Sequence, residues 1–390
     1  MPRPRPVILA ALLLLAACAT GPEPDRDRPD VDPGATRDGY SREKIRPEEI
    51  AAVWVDSWNP GLFDAAQIDR LVDWCRAEGI NTILAEVRKV GDAYYDSRLE
   101  PRGVDATGAR IPLSFDPLGH LLRRARSRGI RVEAWLVANR VWKDEAPPPI
   151  TLPEHLMTRR PEWLLRDRAG RIRAEGDPSV YLDPSDPEAR AWVAEVAADL
   201  VRRYPVDAVH LDYIRYPGRE WGYGERSLAR FAAASGRSGS PAPDDPEFGA
   251  WRREQVTREL EEIRTAIRAV DPEIELSAAT ITWDEMGAGS YEATRGHGAV
   301  FQDWPMWCRT GLIDVNYPMH YKREHDERWR RDYRRWLDFF ESVRREGRAR
   351  IVVGVGAYMN DPEGTAAQLR EARARALDGT AIFSYHAPRR

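Results

Sequence analysis

The pattern of the chain predicts an α/β fold of the (β/α)8 TIM barrel type. From about residue 50 onward, eight short apolar runs alternate with seven amphipathic stretches. The connections from helix pattern to strand pattern are short, while several of those from strand to helix run to tens of residues. One end of the fold is therefore the elaborated one. A doubly wound nucleotide-binding sheet would carry a Gly-rich loop after its first strand. Val55-Asp56-Ser57-Trp58-Asn59-Pro60 stands there instead.

Strands are expected at 51–55, 82–87, 131–137, 208–212, 275–279, 313–317, 351–355 and 380–384. Their near-continuous apolar character suits a parallel sheet buried on both faces. Helices are expected at 64–78, 117–128, 187–203, 248–270, 304–309, 327–345 and 362–377. Asp116-Pro117, Asp186-Pro187 and Asp361-Pro362 each place a capping carboxylate before a proline at the first helical position. Gly79, Gly129 and Gly379 follow helix patterns where a left-handed residue is wanted. The helix at 327–345, dense in Arg and Trp, reads as a solvated outer face with aromatic packing. The chain stops shortly after the eighth strand, so an eighth helix is missing or supplied by another segment.

The first residues read as a targeting signal. Arg3 and Arg5 precede an apolar run at 7–17 that is too short to span a bilayer as a mature helix. The run ends Leu15-Ala16-Ala17-Cys18, the form of a bacterial lipobox, so Cys18 is the expected lipidated N-terminus. Ala19 rather than Asp after the Cys points to the periplasmic face of the outer membrane. Residues 21–39, rich in Pro, Asp, Arg and Gly, read as a flexible tether. The expected organisation is a signal peptide at 1–17, a lipidated terminus and tether at 18–46, and a barrel at 47–390.

Composition narrows the function. With 59 basic and 63 acidic residues the chain has no signature of nucleic-acid binding. Losing residues 1–17 removes Arg3 and Arg5 and takes the net charge from −4 to about −6. Cys75 continues the helical stripe Ile68, Leu71, Val72, which marks it as core, and a disulfide with Cys308 has no support. No Cys and His cluster has zinc spacing, so neither metal nor cofactor is expected.

The strand ends collect Asp, Glu, Arg, Asn, His and many aromatics, the mixture of a carbohydrate site. Aromatic faces stack on sugar C–H surfaces, and glycoside hydrolysis uses two carboxyl groups. Asp212, at the end of Val206-Asp207-Ala208-Val209-His210-Leu211-Asp212, is the first candidate, and an ion pair with Arg215 is its structural alternative. Glu86, Asp284 and Glu285 are the candidate partners, with Asp56 and Asp92 after them. His210, on the same strand face as Asp212, is expected to hold it by a hydrogen bond. Trp58, Tyr94, Trp135, Trp283 and Tyr317 are candidate sugar platforms. Arg88 and Arg140 are candidate ligands for hydroxyls or an acidic substituent. Asp92, Arg215, Tyr216 and His320 complete the expected substrate contacts, with Asp92 equally readable as a turn-maker after Gly91.

Several segments, in this order, resemble the glycosyl-hydrolase-like family 10 barrels. They are Ala52-Val53-Trp54-Val55-Asp56, Val87-Arg88-Lys89-Val90-Gly91-Asp92-Ala93-Tyr94-Tyr95-Asp96-Ser97, Phe115-Asp116-Pro117-Leu118, and Ala134-Trp135-Leu136. Arg160-Pro161-Glu162-Trp163-Leu164, the stretch 206–217, Asp303-Trp304 and Ile351-Val352-Val353-Gly354-Val355-Gly356-Ala357-Tyr358 complete the series. The resemblance implies a glycoside hydrolase of the cell envelope acting on peptidoglycan glycan strands, preferably those stripped of stem peptides; separately, the protein is expected to be a monomer. Four departures stand out. Tyr213 replaces a second Asp, Glu133 replaces a His, Pro318-Met319 replaces Pro-Gln, and the family's Asn-Pro after strand three is not kept. Hydrolysis of another extracellular polysaccharide, or glycan binding without catalysis, are the alternatives.

Overall fold

The computed structural model describes residues 43–286 and 290–387. The expected signal segment, Cys18 and the tether up to residue 42 lie outside the described residues. The first half of the barrel runs β1 (Ile50–Val55), α1 (Ala65–Ala77), β2 (Thr82–Arg88), α2 (Pro117–Arg126) and β3 (Arg131–Val137). A long excursion follows, made of β4 (Arg140–Lys143), α3 (Leu156–Arg159) and β5 (Ser179–Tyr181). The chain returns through α4 (Pro187–Arg203), β6 (Ala208–Asp212), α5 (Glu225–Ser235), α6 (Pro246–Val270) and β7 (Glu275–Ile281). It ends with α7 (Arg295–Gly298), α8 (Trp304–Thr310), β8 (Val315–Met319), α9 (Glu327–Glu346), β9 (Arg350–Gly356), α10 (Pro362–Arg373) and β10 (Gly379–Phe383).

Eight parallel strands close in the order β1-β2-β3-β6-β7-β8-β9-β10, while β4 and β5 pair antiparallel in a separate ribbon. The barrel and all eight of its strands are as the sequence predicts. Strand alternation sends every second side chain inward, and Ile50, Ala52, Trp54, Leu84, Trp135, Val137, Val315, Tyr317, Val352 and Ala381 pack as the interior. The capping carboxylates act as expected: Asp116 accepts from the Gly119 N–H, Asp186 from Glu188 and Ala189, and Asp361 from Gly364. Cys75 lies on the buried face of α1 beside Ile68, Leu71 and Val72. On α9, Tyr333, Trp336, Leu337, Phe340 and Val343 are buried, which leaves most of its arginines on the solvent side.

Some boundaries differ from expectation. β8 begins at Val315 rather than 313, because the Asp314 carboxylate belongs to the turn beneath it. That carboxylate accepts the Leu276 N–H at 2.8 Å and pairs with Arg268 at 2.8 Å. Gly379 does not end α10, which stops at Arg373; it opens β10 at φ 144°. A Cβ there would meet the Ile50 carbonyl oxygen at 2.0 Å, so the close approach of β1 and β10 needs glycine. The ribbon β4/β5 and the short helices α3, α5 and α7 all sit within the long connections and were not expected. Among the described residues no helix follows β10.

Residues 43–47 run beneath the N-terminal ends of the strands. Lys44 Nζ donates to the Val206 carbonyl at 2.7 Å, Ile45 N–H to Asp207 at 2.8 Å, and Arg131 to the Ile45 carbonyl at 2.9 Å. Arg131 also pairs with Glu133 at 2.9 Å and Glu275 at 2.6 Å, and Glu275 takes Arg350 at 2.9 Å. The floor of the barrel is a closed charge network.

Candidate active site

Asp212 is the last residue of β6, and its backbone aligns with Val137 at the end of β3. The next residue, Tyr213, takes φ 52°, a left-handed conformation that costs a bulky residue about 1 kcal/mol or more. The turn brings the Tyr213 N–H to 2.6 Å from the Asp212 carboxylate, which also accepts from Arg215 at 3.1 Å. The Tyr213 ring has the Arg140 and Arg215 guanidinium groups each 4.1 Å from its centroid. Arg140 also donates to the Tyr213 hydroxyl at 2.7 Å. The ribbon sets this contact, since Arg140 opens β4 and pairs there with Tyr181.

The row extends in both directions. Arg215 lies 6.0 Å from the centroid of Trp283, which also carries Arg295 at 5.6 Å. At the other end Arg140 is 5.7 Å from the centroid of Trp58, with Lys89 at 4.4 Å and Lys143 at 5.2 Å. Trp58 is 40% exposed and Trp283 43%, unlike the aromatic residues of the interior. Trp58, Arg140, Tyr213, Arg215 and Trp283 are thus linked by successive cation–ring contacts at the barrel mouth. They make a surface suited to a chain of sugar rings.

Glu86 sits at the end of β2 and is only 1% exposed. Its carboxyl accepts the Ser57 N–H at 2.7 Å, and the Ser57 hydroxyl donates to the Glu86 carbonyl at 2.5 Å. Burial pushes this carboxyl up to about 8; the Ser57 N–H, Arg140 and Lys89 pull it down, and neighbouring Asp56 adds to the rise. Near neutral pH Glu86 therefore carries a proton. Asp56 itself accepts from the Trp58 and Asn59 N–H groups and the Asn59 side chain, which shapes the loop presenting Trp58. Trp135 Nε1, Arg140 Nε and the Tyr321 hydroxyl are buried without a hydrogen-bond partner.

Other expected site residues are placed elsewhere. His210 does not hold Asp212. It lies wholly inside the barrel, accepting from Trp54 Nε1 at 3.1 Å and meeting the Ser277 hydroxyl at 2.8 Å. Ser277 donates to Glu133 at 2.5 Å, as does the Tyr317 hydroxyl at 2.8 Å, so Tyr317 is interior and not a platform. Burial lowers His210 to about 4, consistent with a neutral ring in this chain of hydrogen bonds.

Arg88 should share a face with Glu86, but a register shift between them turns it away. It is buried and paired with Glu100 at 2.7 Å. Tyr94 is buried with Phe63 and Ile111 and donates to the Val104 carbonyl at 2.8 Å. Tyr216 is buried edge-on to Phe301. His320 stacks on Tyr333 of α9 at 4.6 Å, outside the barrel wall. Asp92 is the turn-maker, accepting the Val90 N–H at 2.9 Å and that of Lys89 at 3.2 Å. Asp284 pairs with Arg295 Nε at 2.7 Å and also accepts the Arg295 N–H at the start of α7, which commits it to that loop.

Trp58, Arg140, Asp212, Arg215, Trp283 and Glu86 are the residues the barrel end brings together; Trp135, 5% exposed, pairs in register with His210 and packs in the interior, so it is not a platform. Lys89, Lys143 and the Tyr213 ring belong with that set; the two lysines were not singled out, and Tyr213 only as standing in place of a second Asp. Lys89 and Tyr213 each follow a strand end directly, and for Lys89 that position was the only signal. Among the described residues, no group of three or more His, Cys, Asp or Glu side chains is placed to hold a metal ion.

The family description "Glycosyl hydrolase-like 10" matches residues 49–360. The chain is 28% identical to glycosyl hydrolase DigH of Escherichia coli K12, over 91% of this chain and 83% of that one. It is 24% identical to glycosyl hydrolase YngK of Bacillus subtilis 168, over 70% of this chain and 54% of that one. Among solved structures, a GH42 β-galactosidase from G. stearothermophilus matches with a TM-score of 0.58 at 15% identity, covering 88% of this chain and 53% of that one. An α-L-fucosidase from Paenibacillus thiaminolyticus matches with a TM-score of 0.53 at 17% identity, covering 88% and 46%. The chain spans about half the length of these two structures, whose likeness shows the barrel fold. Since the family description covers most of the sequence, the chain belongs to the glycosyl hydrolase-like 10 family.

Proposed function

We propose that this protein is a glycoside hydrolase of the cell envelope that cleaves peptidoglycan glycan strands bare of stem peptides. One observation carries the catalytic part: a single barrel mouth combines a protonated carboxyl, Glu86, with an ion-paired carboxylate, Asp212, along a row of exposed aromatics. Glu86 gives its proton to the glycosidic oxygen as the bond to the anomeric carbon breaks. Asp212, held by Arg215 and the Tyr213 N–H, either attacks that carbon or deprotonates the attacking water. In the first course the glycosyl–enzyme is then hydrolysed by a water that gives its proton to Glu86, restoring the acid. Trp58 and Trp283 hold the rings on either side.

The choice of glycan rests on the family resemblance and on the lipobox, which would place the domain in the periplasm on a lipid anchor at Cys18. Both E. coli and B. subtilis relatives carry the name glycosyl hydrolase. The ion pair that occupies Asp212 supports a second reading, a glycan-binding protein without turnover.

The test is incubation of purified protein with peptide-free glycan strands, intact sacculi and a panel of other polysaccharides, with Asp212→Asn in parallel. Release of short glycans from bare strands by wild type, reduced at least about a hundredfold in Asp212→Asn, supports the proposal. Binding without products from any substrate supports the second reading, and undiminished activity in Asp212→Asn removes that residue from the mechanism. NMR of the first-formed anomer then separates nucleophile (retention) from base (inversion).

A further inference from the structure

Three cations gather around Trp58, and none has a carboxylate within ion-pair distance among the described residues. Lys89, Arg140 and Lys143 all lie within 5.7 Å of that ring's centroid. Charges elsewhere at the mouth are matched, Arg215 by Asp212 and Arg295 by Asp284. Lys89 donates only to a backbone carbonyl, that of Ser57 at 2.9 Å. Arg140 is 5% exposed, spends one N–H on the Tyr213 hydroxyl, and leaves Nε without an acceptor. A buried guanidinium with no counter-ion and an idle donor is unfavourable until an anion arrives.

The carboxyl groups around these cations are otherwise engaged: Asp105, which interacts with Lys89, takes the Thr107 hydroxyl and the Thr107 and Ala109 N–H groups, and Asp92 takes the Lys89 and Val90 N–H groups. Asp56 is engaged with the Trp58 and Asn59 N–H groups, and Glu86 is kept protonated by burial, so the positive charge stays available. An exposed indole ringed by unpaired cations has two complementary features: a flat apolar face and a place for negative charge. A neutral sugar uses only the first.

We infer that the Trp58 end of the mouth is a subsite for a sugar carrying a carboxylate, its ring on Trp58 and its acid group between Arg140, Lys89 and Lys143. This rests on the glycan-hydrolase reading and deepens it. In a bare peptidoglycan strand every second sugar bears a free lactyl carboxylate. Attachment of a stem peptide turns that acid into a neutral amide, which cannot answer three cations. The subsite thereby gives selection of bare strands a cause in charge as well as in bulk.

Binding can be read without turnover. Calorimetry on Glu86→Gln protein compares a muramic-acid-containing disaccharide with its primary amide, which differs in charge but hardly in size. The acid is expected to bind at least about tenfold more tightly, with a preference that shrinks as salt is raised. Lys143→Gln, a change at an exposed side chain, is expected to weaken the acid several-fold and leave the amide unchanged. Arg140→Gln should remove most of the preference and Arg140→Lys restore part of it. Equal binding of acid and amide, binding of neither, or a preference indifferent to both substitutions overturns the subsite. If wild type cleaves acid and amide strands with equal kcat/KM, the subsite falls and the hydrolase reading stands. Acid preference in a protein that cleaves nothing leaves the subsite standing and removes the hydrolase.

Discussion

The two ends of the barrel treat charge in opposite ways. At the floor Arg131 is shared between Glu133 and Glu275, Arg350 joins them, and Asp207 accepts the Ile45 and Val132 N–H groups. Residues 43–47 close this network from below. At the mouth Glu86 is buried with a backbone N–H for company, Arg140 has an idle donor, and Tyr213 holds a left-handed backbone. Trp58, Trp283 and Tyr358, 54% exposed, remain uncovered. The floor maximises stability, whereas the mouth gives stability up to keep reactive and binding groups ready, as expected of the C-terminal face of such barrels.

The contrast can be broken from either end. Arg131→Met at the floor leaves Glu133 and Glu275 without their shared cation and is expected to destabilise the fold by about 3–5 kcal/mol in urea unfolding at neutral pH. A loss under about 1 kcal/mol would show that the floor network is ornamental.

Glu86→Gln at the mouth should do the reverse. Glycan release is expected to fall at least about a hundredfold, close to 3 kcal/mol of barrier, while the fold is retained. The pH dependence follows from the rise of Glu86 from 4.5 to about 8. Between those values the folded state binds a proton that the unfolded state has lost, so wild-type stability declines as pH rises through this window. The glutamine variant lacks that decline, and its thermal midpoint should gain on wild type between pH 5 and 8.5. A constant difference across that range would contradict a buried neutral acid. Wild-type kcat/KM should fall on the alkaline side with an inflection near 8, where Glu86 loses its proton.

Trp58→Ala carries a smaller expectation. Loss of a 40% exposed platform should raise KM by roughly five- to thirtyfold, about 1–2 kcal/mol, with kcat within about threefold. A fall in kcat with KM unchanged would make Trp58 part of the chemistry instead of the sugar surface.

The barrel was legible because its physics is local. Parallel strands buried on both faces read as apolar runs, and Asp-Pro pairs such as Asp186-Pro187 announce helix starts. The ribbon β4/β5 was hidden because its strands of 4 and 3 residues are separated by a long loop without a hairpin turn. Glu86 and Asp212 were found from strand ends, but direction was harder to read. Alternation along β8 already sends His320 outward when Tyr317 points in, and it also places His210 one interior layer below Asp212. The register shift that separates Arg88 from Glu86 has no such signature. Nor could composition show that Lys89, Arg140 and Lys143 would meet at one indole, since they come from two different loops.

The proposed acid step depends most on Glu86 holding a proton before substrate binds. Labelling Glu side-chain carboxyls with ¹³C and titrating by NMR measures this directly, with the Glu86→Gln spectrum identifying the signal. The Glu86 carboxyl is expected to titrate near 8. Titration at the ordinary glutamate value near 4.5 would contradict it and leave Asp212 without an acid partner in the mouth.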